Sequence, residues 1–290
     1  MSTPVIEVEK LNLKYGDFHA VKDLSFEVRP GELYALLGTN GAGKTSALET
    51  VEGHREPTSG TVRVFGHSPR DRKAVRPRMG IMLQESGFSP DLTVRESVRL
   101  IGRLTGRTDD DGRVLDVVGL TRKAGTVVSQ LSGGEKRRLD FATAVYGTPE
   151  LIFLDEPTTG LDIQSRDALW DSVDRLRENG STIVLTTHYL EEAQQRADRI
   201  GLMHQGVFRR QGTVSELTRA LPSHIRFALP DGPALPLASS VDGNAVVVET
   251  FELQKDLHLL LGWAQDNGVE LRDLSAGPTS LDDVFRAIEA

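Results

Sequence analysis

The hydrophobic positions of the chain change period several times, and each change marks an element. Apolar and polar residues alternate over 5–13 and again over 24–28, the pattern of strands with one buried face. Pro30-Gly31 turns the chain, and the continuous apolar run over 33–37 predicts a strand buried on both faces. Residues 45–52 read as helix. Further strands are predicted over 61–65, 79–83, 151–154 and 182–186. A helix is predicted over 165–177, and a late hairpin joins 200–204 to 207–209 around Gln205-Gly206. Strands alternating with helices predict an α/β fold with a largely parallel sheet. Between 94 and 145 the period becomes helical, with Val94, Val98, Ile101, Leu104, Val114, Leu115 and Val118 on the repeat. A helical subdomain over about 86–146 is therefore expected as an insertion.

After Leu221-Pro222 the pattern resets. Strands are predicted over 225–229 and 245–250, and a helix over 256–266 with Leu257, Leu260, Leu261 and Ala264 on one face. The expected organisation is a main domain over 1–221 and a small α+β domain over 222–290.

Composition narrows the classes. The chain has 290 residues, 38% apolar and 26% charged, enough for a full hydrophobic core and unlike a disordered chain. No apolar run approaches the roughly 20 residues that cross a bilayer, and residues 1–10 lack a signal-peptide core. A peripheral place at the cytoplasmic face is expected, with any membrane role acting through a partner. The absence of cysteine removes disulfides, thiolate metal sites and cysteine nucleophiles together. A net charge of −8 argues against a nucleic-acid surface. The basic run Arg70, Arg72, Lys73, Arg76, Arg78 reads as a solvated face, or else as a contact to phosphate or anionic lipid.

The chemistry starts at Gly38-Thr39-Asn40-Gly41-Ala42-Gly43-Lys44-Thr45, a G-x-x-x-x-G-K-[ST] loop between a predicted strand and a predicted helix. Glycines let backbone N–H groups curl around a phosphate, and the helix start adds partial positive charge. Lys44 supplies a point charge to the β- and γ-phosphates, and Thr45 a hydroxyl for Mg²⁺. Chance gives such a string about once in a hundred chains of this length. Alone, the loop specifies only a nucleotide; a kinase, a GTPase and a transport ATPase would share it. Downstream, the apolar stretch 151–154 ends in Asp155-Glu156, a carboxylate pair at a strand end. Asp155 suits the metal, and Glu156 suits the attacking water. Leu131-Ser132-Gly133-Gly134-Glu135 combines a helix N-cap and capping-box Glu with two glycines that suit close approach to an anion. It reads as a second phosphate-binding helix start.

These residues resemble the ATP-binding subunits of ABC transporters. Residues 131–135 look like that family's signature, and the order also matches: phosphate loop, Gln84, signature, Asp155-Glu156, the segment 157–162 ending at Asp162, then His188. The resemblance spans residues 4–220 and implies a P-loop NTPase core with a mixed sheet and an inserted helical signature subdomain. It implies ATP and Mg²⁺ as cofactors. It implies that Tyr15 stacks on adenine, with Ser46 beside the phosphate loop. Gln84 would touch Mg²⁺ and water and open the insertion that meets a membrane subunit. Asp162 would communicate across a dimer, and His188 would contact the γ-phosphate. In the family two chains pack head to tail, each ATP lying between Lys44 of one and Ser132, Gly133 and Gly134 of the other. Residues 188–193 and the tail 278–285 look like the bacterial branch that exports drugs, antibiotics and lipids. Two positions depart from the common pattern: Glu135, where many members carry Gln, and Thr143, where many carry Arg. The competing reading is a soluble ABC-type ATPase acting on ribosomes or DNA. Against it stand an insertion too short for a long coiled coil and a single ATPase domain. The signature argues against a small-molecule kinase, and Glu156 with His188 against a non-hydrolysing subunit.

Overall fold

The computed structural model describes residues 3–82, 87–219, 221–228 and 234–289. The chain separates into two compact units, 1–211 and 212–290. The division falls ten residues before the expected 221/222, because the short helix after residue 212 packs within the second unit.

The first unit opens with β1 (Ile6–Tyr15), β2 (Phe18–Val28), β3 (Leu33–Gly38), α1 (Lys44–Val51) and β4 (Ser59–Val64). Strand β1 buries Ile6, Val8, Leu11 and Leu13, a phase that slips by one residue. A register shift between Val8 and Leu11 absorbs the slip, so all four stay on one face. The alternating strands do not join the central sheet. They form their own antiparallel sheet in the order β2-β1-β4.

The helical insertion follows α2 (Arg72–Val75) and β5 (Met79–Met82). It contains α3 (Val94–Thr105), α4 (Asp111–Val117) and α5 (Gly133–Val145), packed on one another through Val94, Val98, Val114, Leu115 and Leu139. Next come β6 (Leu151–Asp155), α6 (Ile163–Glu178), β7 (Thr182–Thr186), α7 (Leu190–Arg196), β8 (Arg199–His204) and β9 (Val207–Gly212). The central sheet has the order β5-β6-β7-β3-β8-β9, parallel from β5 through β8. Residues Gln205 and Gly206 both have positive φ, the geometry of a two-residue hairpin turn, so β9 returns beside β8. Side chains of the antiparallel sheet (Ile6, Val8, Leu24, Val64), of β3 and β6 (Leu36, Phe153) and of α1 (Ala47, Leu48, Val51) share one core.

Strand β5 runs so close to α5 that a Cβ on Gly80 would stand 1.9 Å from the carbonyl oxygen of Ala144 and 3.0 Å from Pro149 Cγ. Backbone cannot yield as a side-chain tip does. Gly80→Ala is therefore expected to lower stability by about 1–3 kcal/mol. Urea unfolding checks this, and an unshifted midpoint would refute the close approach.

The second unit holds α8 (Val214–Thr218), β10 (Ser223–Ala228), β11 (Ser240–Asp242), β12 (Ala245–Thr250), α9 (Leu253–Asn267), β13 (Ser275–Gly277) and α10 (Leu281–Glu289). Its antiparallel sheet has the order β11-β12-β10-β13, and Ile225, Phe227, Val246 and Val248 pack against Leu260 with Leu253, Leu257 and Trp263. The expected face of α9 is corrected at one place: Leu261 is exposed, and Leu253 and Trp263 complete the buried stripe instead. Helix α9 begins three residues earlier than expected, which brings Leu253 onto the stripe at i−4 from Leu257.

Candidate functional site

Parallel pairing brings the carboxyl ends of β3, β6 and β7 to one edge, where α/β sheets place their ligand crevices. A cavity of about 520 Å³ opens there. It is lined by Tyr15, Phe18, Ala20, Asn40, Gly41, Ala42, Gly43, Lys44, Thr45, Ser46, Asp155, Glu156, Thr186 and His188.

The loop from β3 to α1 makes one wall. Gly41 and Gly43 adopt φ of +76° and +98°. At Gly43 a Cβ would also lie 2.6 Å from the carbonyl oxygen of Ala20, so both conformation and packing demand glycine there. Gly38 is required by packing alone: its Cβ would meet the carbonyl oxygen of Met203 at 2.3 Å. Helix α1 has glycine as N-cap and no side-chain cap, which leaves its first-turn N–H groups to an anion. Lys44 Nζ donates to the carbonyl oxygens of Gly38 (2.7 Å) and Thr39 (3.1 Å). Burial pushes its ammonium below the usual range, while Glu156 and Asp155 pull it back up.

The opposite wall is acidic. Asp155 pairs in register with Thr186 across β6 and β7, and Thr186 Oγ1 donates to its carboxylate. Glu156 follows with φ +49°, a left-handed conformation costing about 1–2 kcal/mol for a side-chain-bearing residue. Its N–H donates to the Thr186 carbonyl (3.0 Å), its carbonyl accepts from Thr159 N–H (3.2 Å), and its carboxylate meets His188 Nε2. The backbone turn thus aims Glu156 along the cavity while Asp155 stays at the strand end. For Mg²⁺, the Thr45 hydroxyl and Asp155 carboxylate are the hard oxygen donors this ion selects. No cluster of three or more His, Asp or Glu suited to a metal occurs among the described residues; phosphate oxygens and water are the usual further ligands of this ion.

At the outer end, the β1–β2 hairpin sets Tyr15 directly opposite Phe18. The Tyr15 hydroxyl is 2.8 Å from Ser46 Oγ, and the Arg55 guanidinium lies 4.4 Å from the ring centroid. The ring is thereby pinned to α1 with one face covered by a cation.

Among the described residues, Ser132, Gly133, Gly134 and Asp162 do not line this cavity. Ser132 caps α5, with Glu135 N–H donating to its Oγ (3.2 Å) and its own N–H donating to the Glu135 carboxylate (2.9 Å). This is the reciprocal box expected from the sequence, and the open space at Gly133 leaves that helix start accessible. Asp162 caps α6: its carboxylate accepts from Ser165 N–H (2.8 Å) and Oγ (3.1 Å), and the backbone donor chiefly holds it below the usual carboxylate range. Gln84 lies outside the described residues.

Several contributors escaped sequence reasoning. Phe18 and Thr186 enter only through strand register. Gly206 N–H donates to the Ala42 carbonyl (3.1 Å), bracing the phosphate loop from the β8–β9 turn. Buried Glu192 accepts from Thr158 Oγ1 (2.9 Å) and Thr187 Oγ1 (3.4 Å), tying the segment before Asp162 to the segment before His188. Thr187 Oγ1 also accepts from Tyr189 N–H at 2.9 Å, which shapes the turn at His188.

With this geometry in place, comparison with known proteins is decisive. A family profile described as ABC transporter matches residues 21–159, and one for the C-terminal domain of ABC transporter domain-containing proteins matches 223–280. The daunorubicin/doxorubicin resistance ATP-binding protein DrrA of Streptomyces peucetius is 34% identical over 99% of this chain and 92% of its own length. The chain belongs to the ABC transporter family. Within that family, the Nod factor export ATP-binding protein I of Paraburkholderia xenovorans is 40% identical over 75% of this chain and 73% of that protein. Among solved structures, an ATP-binding subunit of an ABC transporter superimposes with TM-score 0.70 and 26% identity, covering 74% of this chain and 92% of that one. An ATP-binding cassette in a dimeric post-hydrolysis state with ADP and Pi gives TM-score 0.66 and 25% identity, covering 72% and 98%. As an ABC ATP-binding subunit, the chain binds and hydrolyses ATP to power a membrane transporter. Among the described residues no helix is long and apolar enough to cross a membrane.

Proposed function

We propose that this chain drives export through a membrane-embedded partner by closing head to tail on a second copy around two ATP molecules. One observation carries the reading. The phosphate loop, Asp155, Glu156 and His188 line a single cavity, whereas the second anion-suited helix start, at Ser132, Gly133 and Gly134, is not part of it. A helix start that does not line the nucleotide cavity of its own chain is suited to an ATP held by another copy.

In this arrangement the loop N–H groups and Lys44 grip the phosphates, and Tyr15, flanked by Phe18, stacks on adenine. Glu156 takes the proton of the attacking water, and His188 holds the Glu156 carboxylate in line beside the γ-phosphate. Thr45 and Asp155, with Gln84, would hold Mg²⁺, whose charge neutralises the phosphate oxygens. ATP favours the closed dimer because only that state supplies both helix starts, and hydrolysis removes the preference. Asp162 lies in the segment that would meet the second copy, and the helical insertion in the region that would meet the membrane partner.

Relatives named for Nod factor export and for daunorubicin/doxorubicin resistance support export over import, with drugs, antibiotics or lipids as the class of cargo. A peripheral place at the cytoplasmic face follows from that role, and the net charge of −8 disfavours nucleic acid as a partner.

Complementation tests the dimer. Lys44→Ala removes one phosphate grip and Ser132→Arg blocks the other, so each variant alone should be inactive. Mixed, they form dimers with one intact composite site, and about a quarter of parental ATPase activity should return, since random pairing makes about half the dimers mixed. A mixture as inactive as its components would rule out the head-to-tail site.

A further inference from the structure

Arg137 belongs to α5, five residues beyond Ser132, and its guanidinium reaches the end of β6. Its Nη2 donates to the main-chain carbonyls of both Asp155 and Glu156, the latter at 2.7 Å. The side chain is 8% exposed, so these contacts are made in a desolvated setting where a charge-assisted bond is strong. They fall on the one turn of backbone where Glu156 holds φ at +49°. Such a conformation persists only where its surroundings over-determine it. Here the surroundings are Thr186 on one side and Arg137 on the other.

We infer that Arg137 is a positioning residue for Glu156, bracing the carboxylate of one ATP site from the helix whose start serves the other ATP site. The inference rests on the head-to-tail reading above. Within one chain, Glu156 acts on the nucleotide held by Lys44, while Ser132 to Gly134 meet the nucleotide of the second copy. Arg137 is the rigid link between them. A lysine is a weaker brace: its ammonium is a point donor on a flexible stem, whereas the planar guanidinium holds Nη2 in a fixed orientation toward both carbonyls.

The test uses the complementing pair. In a mixed dimer the working site takes Lys44 and Glu156 from the Ser132→Arg chain and its signature from the Lys44→Ala chain. Arg137→Lys placed in the Ser132→Arg chain should lower the restored kcat roughly tenfold or more, with KM for ATP little changed, because it misplaces the carboxylate that acts. The same change in the Lys44→Ala chain should cost clearly less. Equal losses in the two placements would make Arg137 a support of the signature helix only and overturn the inference. So would no loss in the first placement. If the unmodified mixture restores nothing, the head-to-tail reading fails by itself. The brace is then decided in the otherwise unaltered chain: Arg137→Lys and Arg137→Met should lower kcat while ATP binding by titration holds, although the unfolding midpoint falls with the loss of the buried bonds. Parental kcat in both would overturn it.

Discussion

Glu156→Gln should retain ATP binding, lose steady-state hydrolysis and accumulate as a closed dimer with ATP. The substitution keeps the shape of the side chain and removes its negative charge, and with it its basicity and the carboxylate contact to His188. The left-handed turn and the hydrogen bonds to Thr186 and Arg137 are main-chain features and survive. Loss of a positioned general base costs about 10²- to 10⁴-fold in rate. Without hydrolysis the differential affinity of ATP for the closed state is never released, so the dimer outlives its usual turnover. Single-turnover ATPase assays and gel filtration with ATP check both halves. Normal turnover by the variant would remove Glu156 from the chemistry.

Lys44→Ala should fail one step earlier, at binding. The ammonium is partly desolvated in the cavity wall and already oriented by the carbonyls of Gly38 and Thr39. A charge-assisted hydrogen bond in such a place contributes roughly 2–3 kcal/mol. The dissociation constant should therefore rise about 30- to 150-fold. The fold should tolerate the change, because Gly43 and Gly38 set the loop through backbone conformation and packing. Calorimetric titration with ATP reads the affinity, and an unchanged constant would contradict the assignment of the phosphate loop. The two variants separate the roles: one binds without turning over, the other scarcely binds.

Much of this was legible before any coordinates. The apolar run over 33–37, the glycine loop and the carboxylates closing 151–154 are local signals. Each residue type there is demanded by its own backbone or by the ion it would meet. The reciprocal cap of Ser132 and Glu135 is local for the same reason: three residues along one helix turn decide it. Harder to foresee was the role of Asp162, whose carboxylate caps α6 through Ser165 as well as lying in the family segment. The apolar repeat of α9 also takes in Leu261, but the buried stripe runs through Leu257, Leu260 and Ala264, and Leu261 beside it stays exposed.

What depended on long-range contacts could not be read at all. Period-two alternation says that a strand has one buried face, not which sheet it joins. Hence β1, β2 and β4 were indistinguishable from central strands until the antiparallel sheet was seen. Phe18 and Thr186 reach the cavity through register with Tyr15 and Asp155, which depends on partners far along the chain. Arg137 and Glu192 look like ordinary charged helix residues in the sequence, and only tertiary packing turns them onto the backbone of Glu156 and onto Thr158 and Thr187. That a nucleotide is gripped by a glycine loop and met by an acidic strand end could be read along the chain, because those demands are written in neighbouring residues. The tertiary structure alone decided which distant side chains hold that machinery in posture, because hydrogen bonds across packed elements leave no periodic trace in the chain.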